Sequence, residues 1–407
     1  MRNSGIADES GRFDLTDSPA SDPPLLALLF GSSFGILANQ VVPPALPSIS
    51  TTFTVSDARV GLIISSFYLA SAVAIPVAGT LADVYGRRIV LLSSLALYGL
   101  AGVGTVFVPN FEALLAMRAL QGIGFAGVTP ITIAVVGDMY TGPAGSTAQG
   151  LRTSSHGISN VLAPALGGFL SGLLWSYPFL IFLLAFPAMA LIYRYLPETA
   201  PDEGAIETSL SMQSLGGYLR GINGEFGDPI LSVLVLGVAV LYFTKTAVLT
   251  FLPLFAVREY AVTPFVAGLL LSLRGAIRIL CSPLTGALSA RLDRNYSVYG
   301  VFALLASGLA MLAVAPGMWW LVGAVAVFGL GDAIGVPLLN NVITTIVSTD
   351  QRAGIISFMN TFKIMANAAS PAAFGLALSL SGYEVVFLSA AVVVVGYGIV
   401  LVKVLSA

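Results

Sequence analysis

The sequence of 407 residues has little cysteine, histidine or charge: one cysteine (Cys281), one histidine (His156), and 18 basic against 20 acidic residues. A single cysteine excludes an intrachain disulfide and a cysteine-based metal cluster. The absence of a basic tract argues against nucleic acid as a partner. No metal-ligand spacing and no nucleotide-binding loop is present, so we expect no metal, no cofactor and no ATP-driven activity.

What the sequence has in excess is apolar residues. Hydrophobic residues make up 57% of the chain, charged residues only 9%, and the mean hydropathy is +0.92. A soluble domain carries about 25% charged residues. Water cannot cover so much apolar surface, so most of the chain must face lipid or other apolar helices.

Twelve apolar stretches are long enough to cross a hydrocarbon core of about 30 Å. We therefore predict an all-α integral membrane protein with twelve transmembrane helices. The predicted spans begin near Leu25, Val60, Ile89, Ala113, Leu151, Tyr177, Ile230, Phe265, Val298, Trp319, Ile355 and Val385.

The second half of the chain repeats landmarks of the first half at an offset of 207 residues. A half-length repeat in a membrane chain predicts two similar halves around a central site, as in many secondary transporters. We predict a disordered cytoplasmic tail (1–22), a six-helix bundle (23–196), a cytoplasmic linker (197–227) and a second six-helix bundle (228–407). The landmarks Gly61, Pro76, Gly79, Arg87, Gly122, Gly124, Ala126, Pro130, Pro164 and Gly168 fall on Gly268, Pro283, Gly286, Arg294, Gly329, Gly331, Ala333, Pro337, Pro371 and Gly375.

Basic residues are distributed unevenly between the two sets of connecting loops. If both termini are cytoplasmic, eleven basic residues lie on that side, and only Arg59 and Arg258 lie on the other. Since cytoplasmic loops carry an excess of Lys and Arg, we predict a multi-pass protein of the cell membrane with both termini inside.

The end of the second predicted span carries a glycine- and charge-rich motif. Glycines there allow close helix approach, and the charges can bridge to each other or to neighbouring helix ends. This motif resembles the loop signature of the major facilitator superfamily, as do Arg118-Ala-Leu-Gln121-Gly122-Ile-Gly124 and Leu196-Pro197-Glu198-Thr199. The resemblance implies two pseudo-symmetric bundles that rock around a midplane cavity lined by helices 1, 4, 7 and 10. The motif residues, a predicted cytoplasmic gate, are Gly79, Asp83, Gly86, Arg87 and Arg88.

The fifth predicted span has a face of small residues around a proline. It resembles the antiporter signature of the proton-linked drug exporters, with Ser159 and Ala163 where that signature has glycines. The alternative is that any gating helix needs a small face and a proline kink. The other residues of the motif are Gly150, Pro164, Gly167 and Gly168.

Five cations fall within predicted spans, against one clear carboxylate, Asp332. A cation that faces lipid at the bilayer centre costs about 2.5–3.5 kcal/mol, so these groups must face the cavity or each other. Either they form structural pairs or they form an anion-binding site. The residues predicted to line the cavity are Asn39, Gln40, Arg118, Lys245, Arg274, Arg278, Asp332 and Lys363.

Three residues are candidates for proton coupling. Asp332 adjoins paired glycines, and a buried carboxyl can change its protonation. His156 is equivalent by the repeat to Lys363, although a lone membrane histidine also serves as a helix–helix hydrogen-bond partner. Arg118 resembles the family's helix-4 arginine, which is tied to proton transfer in the exporters; its alternative role is to hold helix 4 on helix 1 through Asn39 or Gln40.

These features predict a monomeric secondary transporter whose partners are protons, the lipid bilayer and a small-molecule substrate. The fifth span favours proton-coupled export, and the excess of cations favours an anionic, zwitterionic or neutral substrate. The alternatives are an importer or uniporter of a metabolite anion in the same fold and, less favoured, a non-transporting sensor. Since the chain shows no nucleophile–base–acid set, we do not expect an enzyme.

Overall fold

The computed structural model describes residues 19–198, 229–283, 285–286, 293–347 and 352–406. The described residues are helical and contain no strand. Most of the predicted tail and of the predicted linker lies outside them. Twelve long helical segments follow one another within the described ranges: α1 (Pro23–Gln40), α2 (Leu62–Tyr85), α3 (Arg87–Gly104), α4 (Phe111–Met139), α5 (Gly142–Leu173), α6 (a 3-10 helix Tyr177–Leu184 continued by Ala185–Tyr195), α7 (Pro229–Tyr260), α8 (Pro264–Cys281), α9 (Arg294–Ala313), α10 (Met318–Ile346), α11 (Arg352–Leu380) and α12 (Tyr383–Ser406).

Ten of these segments are long and apolar enough to cross a membrane. The other two, α5 and α11, occupy equivalent places in the two halves and carry more polar residues in their interiors. Short helices after α1 (Pro43–Ala45 and Leu46–Thr52) and before α2 (Asp57–Val60) complete the first connection. The predicted fold class is confirmed, and the spans predicted from Leu151 and Ile355 correspond to α5 and α11.

Helix boundaries follow local chemistry. The Asn110 side chain accepts a hydrogen bond from the Ala113 amide at the start of α4, and Thr263 caps α8 in the same way. Between α2 and α3, Gly86 has φ of +96°, a conformation that other residues rarely adopt. A Cβ at Gly86 would lie 2.4 Å from Glu198 Oε1, so the close approach also requires glycine.

The repeat reappears as equivalent helix contacts. A Cβ on Gly122 would lie 2.2 Å from the Phe67 carbonyl oxygen, and at the equivalent position Gly329 faces the Cα of Arg274. Gly122 and Gly329 are 207 residues apart in the sequence, and so are the residues that they approach, Phe67 and Arg274. The two halves therefore pack α2 on α4 and α8 on α10 in the same way.

The two halves meet through α5 against α8 and α2 against α11. Gly268 approaches the Pro164 carbonyl, and Gly61 approaches the equivalent Pro371 carbonyl. We call the end where α1 begins and α12 ends the terminal end, and the other the opposite end. The α5–α8 and α2–α11 crossings lie between the middle of the molecule and the opposite end. Near the terminal end of α2, the place a Cβ of Gly79 would occupy has no atom within 4 Å.

The start of the described chain differs from the predicted disordered tail. Residues Pro19–Ser21 form a 3-10 turn, and the Tyr140 hydroxyl at the end of α4 donates a hydrogen bond to the Asp22 carboxylate. Burial raises the pKa of Tyr140, which keeps this hydroxyl a donor. The side-chain hydrogen bond holds residue 22 at the terminal end of the first half.

Candidate substrate and coupling site

A buried ion pair joins α8 and α10. Arg274 Nη1 lies 2.5 Å from Asp332 Oδ2, and the two side chains are 2% and 1% exposed. Asp332 Oδ1 and Arg274 Nε are buried without a hydrogen-bond partner in the described structure. The pair thus keeps one acceptor and one donor unused inside the second half, where an unpaired polar atom is costly.

Two lysines share one aromatic ring beside this pair. Lys245 Nζ on α7 lies 4.8 Å from the centroid of Tyr242, and Lys363 Nζ on α11 lies 5.4 Å from the same centroid. Lys363 also donates a 3.1 Å hydrogen bond to Asn360 Oδ1. Cation–π attraction stabilises both ammonium groups at this ring but neutralises neither. Arg278 lies one turn after Arg274 on α8, and its positive charge repels those of both lysines.

Arg118 is fully buried in the first half and has no carboxylate partner among the described residues. Its guanidinium donates to Gln121 Oε1 at 2.5 Å and to Asn39 Oδ1 at 3.3 Å. It also lies 4.5 Å from the centroid of the Phe67 ring, and its Nε donates to the Ile63 carbonyl. The arginine therefore ties α4 to α1 and α2. Its predicted part in proton transfer stays a prediction.

Of the two predicted helix-1 partners of Arg118, the structure selects Asn39. Gln40 instead donates a 2.5 Å hydrogen bond to Asn160 Oδ1 on α5. In the second half, Thr246 donates at 2.6 Å to Asn367 Oδ1, and Asn367 is equivalent to Asn160 by the repeat. Polar bonds thus join α1 to α5 and α7 to α11 at matching depths.

Tyr68 on α2 lies between the two charged regions. Its hydroxyl accepts a 3.1 Å hydrogen bond from Asn39 Nδ2, and it interacts electrostatically with both Arg118 and Arg274. Tyr68 and Tyr242 were not among the predicted site residues. Tyr242 could have been found, because it lies three residues before Lys245 and so shares its helix face.

His156 is half-buried on α5 and separate from the Arg274–Asp332 pair. Its Nε2 is buried without a hydrogen-bond partner in the described structure, and the nearby charge is that of Arg152. The structure therefore brings Asp332 together with the second-half cations and leaves His156 on a different helix. Its predicted coupling role stays untested.

The small-residue face of α5 packs against both α1 and α8. A Cβ on Gly167 would lie 2.1 Å from the Val41 carbonyl oxygen, and one on Gly168 would lie 2.3 Å from the Pro264 carbonyl oxygen. Ser159 donates to the Ser33 carbonyl of α1, and Ala163 is fully buried. Gly150, nearer the terminal end, has no neighbour at its Cβ position.

Within the described ranges, the arginines of the predicted gate motif contact other residues of the first half. Arg87 forms an ion pair with Asp138 at the end of α4, and the Arg88 amide donates a 3.0 Å hydrogen bond to Glu198. The Arg88 side chain also donates to the Tyr193 carbonyl. Asp83 forms no ion pair with these arginines, so the partners differ from the bridge within the motif that the sequence allowed.

A polar cluster that the sequence did not predict joins the halves at the opposite end. Asp57 accepts hydrogen bonds from Arg258 Nη2 at 3.0 Å and from the Tyr383 hydroxyl at 2.8 Å. Arg258 Nη2 also donates to Ser50 Oγ at 3.0 Å. Asp57 precedes α2, Arg258 ends α7 and Tyr383 begins α12, so no local pattern brings them together. We call Ser50, Asp57, Arg258 and Tyr383 the opposite-end cluster.

A sequence profile described as the Major Facilitator Superfamily matches residues 28–225 and 234–406. The chain belongs to the major facilitator superfamily. It is similar to the Bacillibactin exporter of Bacillus subtilis (strain 168), with 27% identity over 368 residues, 87% of this chain and 89% of that protein. It is also similar to the Multidrug resistance protein Stp of Mycobacterium tuberculosis (strain CDC 1551 / Oshkosh), with 26% identity over 82% of this chain and 71% of that protein.

Solved structures share the fold. A bacterial homologue of the human lysosomal transporter Spinster, in an inward-facing and unoccupied conformation, superposes with a TM-score of 0.73 at 17% identity, covering 94% of this chain and 95% of that one. The crystal structure of the peptide transporter POT in complex with sulfate gives a TM-score of 0.74 at 15% identity, covering 97% of this chain and 98% of that one. The transport role follows from the family: this superfamily member is a multi-pass membrane transporter of small molecules and not an enzyme.

Proposed function

We propose that this protein exports a small organic molecule across the cell membrane in exchange for protons, by alternating access. The observation that carries the proposal is Asp332, the one carboxylate among the described residues that lies deep within a membrane-spanning helix, held by Arg274. Buried carboxylates in transporter cores are expensive and serve as proton relays. The exporter name of one relative and the packed small face of α5 support the direction.

Competition at Asp332 would supply the exchange. Oδ2 accepts a hydrogen bond from Arg274, whereas Oδ1 has no hydrogen-bond partner among the residues that the structure describes. A substrate hydroxyl or amide donates a stronger hydrogen bond to the ionised carboxylate than to the neutral carboxyl, so a proton on Asp332 and such a substrate oppose each other's binding. A substrate with such a donor would therefore displace the proton on one side of the membrane, and a proton would displace the substrate on the other side.

The contacts between the two halves at the opposite end support one state of this cycle, closed at that end. We place the terminal end in the cytoplasm, on the strength of its basic residues. The opposite-end cluster would then seal the outer side while the cytoplasmic side is open. Rocking about the α5–α8 and α2–α11 crossings would reverse the access.

The charges favour one second candidate, proton-linked import of an anion. Protonation of Asp332 removes the negative charge beside Lys245, Arg274 and Arg278, which raises the attraction of the site for an anion. A simple anion without a donor would thus bind together with the proton, and both would move in the same direction. The substrate's own donor groups decide between exchange and co-transport.

Proteoliposomes with an internal pH-sensitive dye test both candidates. Hydroxylated aromatic carboxylates, zwitterions and neutral amphiphiles would be added to wild type and Asp332→Asn. We expect substrate-driven proton movement opposite to the substrate in wild type and none in Asp332→Asn. Proton movement in the same direction would favour co-transport, and substrate flux without proton movement would refute coupling.

A further inference from the structure

Among the described residues inside the second half, cations outnumber carboxylates. Lys245, Arg274, Arg278 and Lys363 interact electrostatically with one another or with the single acid Asp332. Asp332 is committed to Arg274 at 2.5 Å. Neither Lys245 nor Arg278 forms an ion pair with any residue of the described structure. Lys363 forms none there either, so three cations lack a compensating carboxylate among the described residues.

The first half does not supply the missing negative charge. At the positions equivalent to the four cations by the repeat, the first half has Ala38, Phe67, Ser71 and His156, none of them acidic. The other acidic residues of the described structure lie in loops or at helix ends: Asp22, Asp57, Asp83, Glu112, Asp138, Glu198, Glu259, Asp293 and Glu384. Among the described residues no further carboxylate offsets the repulsion among these cations, and a bound anion would relieve it.

Two of these cations, Lys245 and Lys363, lie at the ring of Tyr242. Both ammonium groups lie at its ring, one from α7 at 4.8 Å and one from α11 at 5.4 Å. Lys245 and Lys363 are each partly exposed, as is Arg278, while Arg274 is almost fully buried. The three cations that form no ion pair with a described residue are thus the ones that can reach a ligand.

We propose that Lys245, Arg278 and Lys363 form a subsite for an organic substrate that bears at least two carboxylates or equivalent anionic groups. This inference rests on the proposed transport function and specifies its substrate class. One anionic group would lie between the two lysines at Tyr242, and another would reach Arg278, which can bind an anionic group with two parallel hydrogen bonds. The asymmetry between the halves places the charged part of the substrate on the second half.

Binding of a charge series on one ring tests the subsite. Benzamide, benzoate, isophthalate and benzene-1,3,5-tricarboxylate would be titrated into the purified full-length protein in neutral detergent, with thermal unfolding as the readout. We expect affinity to rise about tenfold or more from the monoanion to the dianion. Lys245→Gln and Lys363→Gln should each reduce that ratio severalfold, and Lys245→Arg should preserve it. Lys403→Gln, an exposed cation in the last turn of α12, is the matched control.

Equal affinity across the series, or no stabilisation by the tricarboxylate, would overturn the subsite. So would a preference that persists in both glutamine variants. If those variants fail to fold, the salt dependence of dianion binding by wild type and Lys245→Arg decides, because a site without ion pairs would show none. The binding assay is independent of proton flux. Selective binding without proton exchange would refute the export proposal alone, and exchange without charge selectivity would refute the subsite alone.

Discussion

The opposite-end cluster should control how often the protein opens at that end. We predict that Asp57→Asn shifts the equilibrium toward the state in which the opposite end is open. The asparagine keeps the shape of the side chain and one acceptor oxygen. It removes the negative charge of the carboxylate that accepts hydrogen bonds from Arg258 and Tyr383. Both donors come from the second half, so their loss weakens the closed state in particular.

The magnitude follows from the geometry. The Arg258 side chain is 47% exposed and that of Asp57 is 15% exposed, so solvent screens the ion pair, which contributes less than about 1 kcal/mol. The 2.8 Å hydrogen bond from Tyr383 to a carboxylate adds about 1.5 kcal/mol. A total near 2 kcal/mol changes the equilibrium by roughly 30-fold.

Alkylation of a single cysteine measures this shift. Cys281→Ser provides the background, and Ser272→Cys the reporter, since Ser272 is buried where α8 crosses α5 and donates to the Val161 carbonyl. A membrane-impermeant maleimide added on the outer side should label the reporter much faster when Asp57→Asn is present.

The matched control is Glu112→Gln. Glu112 pairs with Arg59 at 2.5 Å at the same end, but both residues belong to the first half. We expect no change in reporter labelling from this variant. Equal labelling in wild type and Asp57→Asn, or a similar increase in Glu112→Gln, would refute the reasoning that the cluster holds the halves together.

Two further predictions concern stability. Asp332→Asn should lower the free energy of unfolding by about 3–5 kcal/mol because it leaves the Arg274 charge buried and unpaired. The double variant Asp332→Asn with Arg274→Gln should recover most of that loss. Denaturation in mixed micelles measures both variants, and additive losses would contradict a coupled pair. Gly268→Ala would put a Cβ 2.3 Å from the Pro164 carbonyl oxygen and should lower the thermal unfolding midpoint. Gly396→Ala, where the Cβ would enter open space, should leave the midpoint unchanged or higher. Equal midpoints for the two variants would contradict the close crossing.

Much of the fold could be predicted because its signals are local. Hydropathy locates the spans, and Gly86 and the capping residue Asn110 mark boundaries through backbone requirements of their own positions. The partners of the charges could not be read in this way. Arg118 allowed two partners on helix 1, and only the rotation of α1 selects Asn39 over Gln40. Likewise, Arg87 pairs with Asp138 because the end of α4 lies beside it, not with Asp83 on its own motif.

The sequence by itself determined the membrane class, the twelve helices, the repeat and the excess of intramembrane cations, because composition and spacing are properties of the chain before it folds. Tertiary structure decided which charges meet. It paired Arg274 with Asp332, brought two lysines from different helices to Tyr242, and joined Asp57 to Arg258 and Tyr383. These contacts depend on how helices cross and rotate, which small-residue packing sets and hydropathy does not encode.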